Sequence, residues 1–406
     1  MKRFCSMKTH SVVLVTLTLW LPSLSLAQVP PHLSDEAQIS LLTILPGQAL
    51  YSAFGHSALR VNDPVAGIDL VFNYGTFDFT DPLFIPRFIY GKLDYFLSVS
   101  RYRANLEASK NEHRPIIEQT LNLSRVQMQA VYDRLLWNAR PPNRVYRYDF
   151  LFDNCSTRLR DILESALGQS IRFPPLPNPQ KSFRHLLDPY VANRPIIDFG
   201  FDLLIGHPTD RVATPREVVF LPDELFLSMT HAVLDSSGIS RPLVARTDTL
   251  LWIQGYKPVQ PSFPWMMLFF GALVLVLGGL TVRTTRHPSR KPFWLDIWIF
   301  GIIGAIGLFL IFMWFGTEHP VTKDNWNILW ALPTHIILAY LLSRGKFLKW
   351  LPAYLYLSAV LLLLSFSAFL TNWPQTFHVA MLPLMLLLLW RSLFVANRLR
   401  SVRDIS

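Results

Sequence analysis

Cysteine is nearly absent from this chain of 406 residues, which holds two, Cys5 and Cys155. Met1 to His10 carries Lys2, Arg3 and Lys8, Ser11 to Leu26 is largely apolar, and Ser25-Leu26-Ala27 places small residues before a cleavage point at Gln28. That is the pattern of a secretory signal over 1–27. Its removal takes Cys5 away, leaves one thiol and excludes an internal disulfide, and with no cysteine at the cleavage point the product carries no lipid there. Also missing are a Gly-x-Ser-x-Gly elbow, a His-Glu-x-x-His helix, a Cys-x-x-Cys pair and a phosphate-cradling glycine loop. Serine hydrolases, zinc peptidases, thiol oxidoreductases and nucleotide enzymes therefore lack support. Asp198, Asp202 and Asp210 follow no cation-loop spacing and read as polar turn positions, so neither metal nor cofactor is expected. Acidic residues are fewer than basic ones, 28 against 38, for a net charge of +10. The basic residues flank hydrophobic spans instead of forming a stripe with aromatics, which argues against nucleic acid.

What the chain has in excess is apolar residues, 51% of the total, concentrated after residue 263. Five segments are long enough to span a bilayer: about 264–282, 294–316, 325–343, 350–371 and 374–396. Arg283, Arg286, Arg290 and Lys291, then Arg344, Lys346 and Lys349, then Arg391, Arg398, Arg400 and Arg403 form three basic groups, whereas turns 317–324 and 372–373 hold only Lys323. The positive-inside rule puts the basic groups in the cytoplasm and the N-terminal domain outside, in agreement with the signal. The expected division is a signal at 1–27, an external domain at 28–255, a proline-rich linker at 256–263, five transmembrane helices at 264–397 and a cytoplasmic tail at 398–406. In the outer turn, Glu318, His319, Asn325 and Asn327 read as capping and interfacial anchors in preference to substrate contacts. His335 and His378 fall inside spans and read as neutral histidines hydrogen-bonded between helices.

In the external domain, Gln38-Ile-Ser-Leu-Leu-Thr-Ile-Leu45 is an apolar run closed by Pro46-Gly47, the signature of a strand. Phe54 to Val61 and Ile68 to Gly75, joined by turn residues 62–67, form a hairpin. Centring it near Val65 sets His56 opposite Tyr74, with Asn73 and Gly75 one register slip away. The aromatic and basic stretch 79–118 reads as a core strand pair with a solvated edge in preference to a lipid-facing lip. Ser124 caps a support helix through Trp137, Ser182 to Val191 is helical, and Pro222 opens another helix to about Leu234. The central stretch is Phe150-Leu-Phe-Asp-Asn-Cys-Ser-Thr-Arg-Leu-Arg-Asp-Ile-Leu163, in which Asp153-Asn154 caps a helix burying Leu159, Ile162, Leu163 and Ala166. Cys155 thus lies in a helix's first turn, where free N–H groups and the macrodipole favour a thiolate. A thiol and a strand histidine are the residues left for chemistry, and the imidazole needs a third group to orient it.

Phe54-Gly-His-Ser-Ala-Leu-Arg-Val61, Phe72-Asn-Tyr-Gly-Thr-Phe-Asp-Phe79, Gly91-Lys-Leu-Asp-Tyr95, Tyr148-Asp-Phe-Leu-Phe-Asp-Asn-Cys-Ser-Thr-Arg-Leu-Arg-Asp161 and Pro215-Arg-Glu-Val-Val-Phe-Leu-Pro222 carry a resemblance. The sequence resembles the Lnb-type lipoprotein N-acyltransferases over nearly the whole mature chain. The order of histidine then Asn-Cys is also similar to the permuted papain-like group that contains lecithin:retinol acyltransferase. The resemblance implies an α+β, circularly permuted papain-like (NlpC-type) periplasmic domain followed by a five-helix transmembrane bundle in the bacterial inner membrane. It implies Cys155 as nucleophile and His56 as base, with Asn73 first and Tyr74 second as the third member. Diacylated lipoproteins and membrane glycerolipids are the implied partners. A papain-like cell-wall peptidase or amidase, and a non-catalytic membrane scaffold, are the alternatives.

Overall fold

The computed structural model describes residues 29–78, 80–175, 180–236, 239–286 and 293–404. The signal-like stretch 1–27, with Cys5, and the basic residues Arg290 and Lys291 lie outside them. The first half of the N-terminal domain runs β1 (Gln38–Ile44), β2 (His56–Asp63), β3 (Ile68–Thr76), α1 (Phe84–Tyr90), β4 (Asp94–Arg101), α2 (Tyr102–Asn111), β5 (Ile116–Leu121), α3 (Arg125–Ala139), β6 (Val145–Arg147) and α4 (Cys155–Leu167). It continues through β7 (Ile171–Arg172), α5 (Phe183–Val191), α6 (Pro195–Leu204), α7 (Pro222–His231), β8 (Val233–Ser236), β9 (Ile239–Pro242) and β10 (Val244–Leu251). Seven strands make one antiparallel sheet in the order β10-β5-β1-β2-β3-β4-β6, and β7-β8-β9 make a small second sheet.

The sheet is covered on both faces, which is why β1 reads as an apolar run and not as an alternation. Ile39, Leu41, Leu59, Val61, Leu70 and Phe72 face the main core under α3 and α4, with Tyr132, Leu135, Leu159 and Leu163. Leu42, Ile44, Ala58 and Val71 face the other way, against Tyr102 and Leu106 of α2. Helix α4 begins where the sequence places its cap. The Asn154 side chain accepts the Ser156 and Thr157 N–H groups while Thr157 returns a bond to the Asn154 N–H, a capping box worth about 1 kcal/mol. The stretch 79–118 departs from the expected strand pair. It holds two helices and two strands, and α1 leaves most of its apolar side chains exposed.

The C-terminal region holds α8 (Trp265–Arg286), α9 (Trp294–Phe315), α10 (His335–Ser343), α11 (Leu351–Phe366), α12 (Ala368–Thr371) and α13 (Met381–Asp404). Among the described residues, four stretches are long and apolar enough to cross a membrane: Trp265–Arg283, Trp294–Phe315, Leu351–Thr371 and Met381–Ser401. The expected spanning helix at 325–343 is corrected. A 3-10 turn at Trp326–Leu329 and a turn at Pro333 precede the nine-residue α10, which rises only about 14 Å against a hydrocarbon core of roughly 30 Å. The non-helical backbone lies on two glycines of α9. A Cβ at Gly307 would come within 2.0 Å of the Ala331 carbonyl oxygen, and one at Gly304 within 2.5 Å of the Ile336 nitrogen. Irregular backbone at this depth is tolerated when protein buries it, as it does for Trp330 and Ala331.

Arg391, counted among the flanking basic residues, is itself buried, its Nε and Nη2 donating to Asp296 at 2.7 and 2.8 Å and its Nη1 to Thr281 Oγ1 at 2.7 Å. The group ties α13 to α9 and α8.

The two regions join at the end of α6, whose last carbonyls need donors from outside the helix. Asn325 Nδ2 donates to the Leu203 and Leu204 carbonyls at 2.8 and 3.0 Å, Asn327 Nδ2 to Asp202 and Leu203, and Gln375 Nε2 to Ile205 at 3.1 Å. The outer-turn asparagines do cap a helix, but one belonging to the other region. The Gly206 N–H donates to the Val321 carbonyl at 2.7 Å, and a Cβ on Gly206 would fall 1.9 Å from the Lys323 carbonyl oxygen, so the contact requires glycine.

Candidate active site

Cys155 opens α4, and His56 is the first residue of β2. Helix α4 packs across β2 through Ser156, whose hydroxyl donates to Ser57 Oγ at 3.2 Å. This brings the half-buried sulfur to the start of β2, where His56 acts on it through charge and a hydrogen-bonding contact and the Ser57 N–H donates to it. The sulfur also lies 3.9 Å from Ser156 Oγ, a long contact of the kind that can tighten when substrate binds. Burial pushes the thiol up, but His56, the Ser57 N–H and the Ser156 hydroxyl outweigh it, and the pKa is lowered to about 7.

The strands decide which residue orients the imidazole. Leu59 pairs with Phe72 and Arg60 with Val71, one residue away from the register centred on Val65. Extended to the strand ends, this sets Gly75 opposite His56 and places Asn73 diagonally on the same face. His56 Nε2 lies 3.3 Å from Asn73 Oδ1. Tyr74 points through the sheet, is buried in the main core and accepts a bond from Asn138 Nδ2 at 2.6 Å. The placement of Tyr74 beside His56 is corrected: a one-residue slip moves a side chain to the opposite face.

A network missed in the sequence fixes the tautomer. Asn105 Nδ2 donates to Ser100 Oγ at 2.7 Å and to the Arg101 carbonyl at 3.2 Å, so its Oδ1 receives Asn73 Nδ2, at 2.9 Å. Asn73 Oδ1 is therefore the atom turned to His56 and must accept the Nε2 proton, which leaves Nδ1 as the basic nitrogen. Nothing in the spacing of Asn105 advertises this role. Tyr146 and Tyr148 flank the cysteine: a Cβ on Gly75 would lie 3.7 Å from Cys155 Cβ, 3.9 Å from Tyr148 and 4.0 Å from the Tyr146 hydroxyl.

The other groups singled out in the sequence lie elsewhere. Arg184 holds Asp202 and Asp210, and Asp198 pairs with His378 at 3.4 Å. Asp198, Asp202 and His378 approach within 4.8 Å of one another, yet Asp202 is already engaged by the guanidinium and the cluster fastens α6 to the segment before α13. Burial lowers the pKa of His378, but the hydrogen bond it donates to Asp198 and the charges of Asp202, Asp198 and Asp188 outweigh it and leave it raised. Glu318 pairs with Lys92 and Arg147, and His319 Nε2 meets the Phe88 carbonyl at 2.8 Å. His335 meets the Tyr354 hydroxyl at 2.8 Å. A cavity of about 380 Å³ lined by Lys181, His185, Tyr190, Asp223 and Glu224 contains neither Cys155 nor His56.

The molecule is thus an α+β domain carrying a low-pKa cysteine, joined to a region of membrane-crossing helices. Family comparison agrees: the model of the Lnb N-terminal periplasmic domain matches residues 33–188, and that of the Lnb transmembrane domain matches 259–400. The chain belongs to the Lnb family of lipoprotein N-acyltransferases, a membrane protein with a periplasmic N-terminal part. No curated protein and no solved structure matches it.

Proposed function

We propose that the protein moves a fatty acyl chain from a membrane glycerolipid, through a thioester on Cys155, to the N-terminal amine of diacylglyceryl-cysteine in bacterial lipoproteins, at the outer face of the inner membrane. The observation that carries this reading is the lowered thiol of Cys155 beside His56, in a domain whose α6 is capped by the membrane region. In the first half-reaction His56 Nδ1 takes the thiol proton and the sulfur attacks the ester carbonyl. The C–O bond then breaks, and the leaving alkoxide recovers the proton as an alcohol. In the second, the amine attacks the thioester, His56 accepts its proton, the C–S bond breaks and the sulfur is reprotonated. Ester and amine become alcohol and amide, with no other reactant.

Asn73 holds the imidazole for both transfers. The Ser156 and Thr157 N–H groups are occupied by Asn154, so the Cys155 N–H is the helix-start donor left for the oxyanion. The water-poor membrane surface favours the amine over hydrolysis. His56 ahead of Cys155 in the chain, with α4 packed on the sheet, supports a permuted papain-like domain. Segment 326–343 is the fifth crossing, made as an interrupted helix.

Incubating the full chain with vesicles and a diacylglyceryl lipopeptide, then weighing both by mass spectrometry, tests the reading. A hydroxylamine-sensitive acyl adduct at Cys155 and an N-acylated lipopeptide are expected, and Cys155→Ala should reduce product formation by at least about 10³-fold. Wild-type rates in Cys155→Ala, or cleavage of wall peptides with lipopeptides untouched, would overturn it.

A further inference from the structure

Helix α1 is built unlike a surface helix. Of Phe84-Ile-Pro-Arg-Phe-Ile-Tyr90, only Phe84 is buried; Ile85 is 61% exposed and Phe88 52%, and Leu83, Ile89 and Tyr90 are exposed too. In water this row is costly, and contiguous apolar exposure marks a contact surface. Its neighbour says which contact. The Tyr90 ring meets Phe312, in the last turn of the membrane-crossing α9, edge-on at 5.7 Å. The turn after α9 clamps the helix: the Glu318 N–H donates to the Tyr90 carbonyl at 2.9 Å, and Glu318 pairs with Lys92 and Arg147. The exposed face of α1 is therefore held level with the outer end of a span.

Behind α1 the aromatic rings continue to the thiol. Phe88 stacks on Phe84 at 6.3 Å, Phe84 packs on Phe77 at 5.5 Å, Phe77 meets Tyr95 at 5.3 Å, and Tyr95 stacks on Tyr148 at 4.1 Å. Tyr148 borders Gly75, next to Cys155. Phe77, Tyr95 and Tyr148 are each only half-buried. We infer that α1 lies in the outer leaflet of the bilayer and that the ring series from Phe88 to Tyr148 is the subsite along which a lipid acyl chain reaches Cys155. The second clause rests on the acyl-transfer reading; the first does not.

The full chain with Cys5→Ser and Cys155→Ser, carrying Ile85→Cys or, as control, Val126→Cys on α3, is labelled with an environment-sensitive fluorophore in phosphatidylethanolamine and phosphatidylglycerol vesicles. Nitroxides on the lipid chains should quench the label at 85 at least about threefold more than at 126. With Cys155 restored, the pair Ile85→Glu and Phe88→Glu should slow thioester formation from vesicle lipid about tenfold while alkylation of Cys155 by iodoacetamide, which reports a folded site, stays within about twofold. Equal quenching at 85 and 126, or a label at 85 shielded from lipid by a protein partner, overturns the inference. Absence of any thioester in the wild type would sink the acyl-transfer reading, and the quenching would still decide where α1 lies.

Discussion

Two buried polar groups, one in the membrane region and one at the candidate site of the periplasmic domain, are built in opposite ways. In the membrane region, Arg391 donates to both oxygens of Asp296 and to Thr281 Oγ1, and the Thr281 hydroxyl donates to the Leu277 carbonyl. In the periplasmic domain a chain of hydrogen-bonding groups runs from the Arg101 carbonyl through Asn105 and Asn73 to His56 and ends at a half-buried sulfur. A closed cluster fixes how helices pack; a chain with a free end holds a proton acceptor ready. Both kinds of polar burial are costly unless satisfied, and only the open one leaves an atom for chemistry.

Breaking the closed cluster should have the larger energetic effect. Arg391→Ala leaves Asp296 uncompensated, and thermal unfolding in detergent should show a loss of about 3 to 5 kcal/mol. Replacing both Asp296 and Arg391 by leucine should recover most of it. Acyl transfer per folded molecule should change little in either case, and a large fall there would erase the contrast between the regions.

Next in size is the open chain. Asn73→Ala should lower turnover by roughly 10- to 100-fold because the imidazole loses the group that sets its tautomer, whereas Tyr74→Phe should stay within about threefold. The reverse order would mean that the face assigned to each residue is wrong.

The smallest effect, and the most direct view of the free end, is the pH dependence of alkylation. With the Cys155 thiol lowered to about 7, iodoacetamide should react slowly below that pH, where the thiol holds its proton, and reach a plateau above it. His56→Ala removes the downward influence of the imidazole and keeps the burial, so the midpoint must move up. An unchanged midpoint would separate His56 from the sulfur.

Several of these groups were readable in the chain before the fold was known. The cap at Asn154 and the buried stripe after it located Cys155 at a helix start because both depend on neighbours within one turn. The hairpin was legible, but its register was not, because a one-residue shift changes no local preference and exchanges Asn73 for Tyr74 on the face of His56. Helix α1 ran against expectation for a related reason: its apolar residues suit a core equally well, and nothing local says that lipid instead of protein covers them. Arg391 counted as a flanking charge until α9 and α8 supplied Asp296 and Thr281.

Composition and local pattern alone determined that a periplasmic domain precedes a membrane region, and that one thiol and one strand histidine stand out, since hydropathy, capping and alternation act over a few residues. The tertiary structure alone decided that Asn73 and not Tyr74 faces the histidine with Asn105 behind it, that segment 325–343 breaks over Gly304 and Gly307, and that Asn325 and Asn327 cap α6 from across the junction. Each of these contacts joins residues far apart in the chain, through strand register or the close approach of two backbones, and neither leaves a mark on the local sequence.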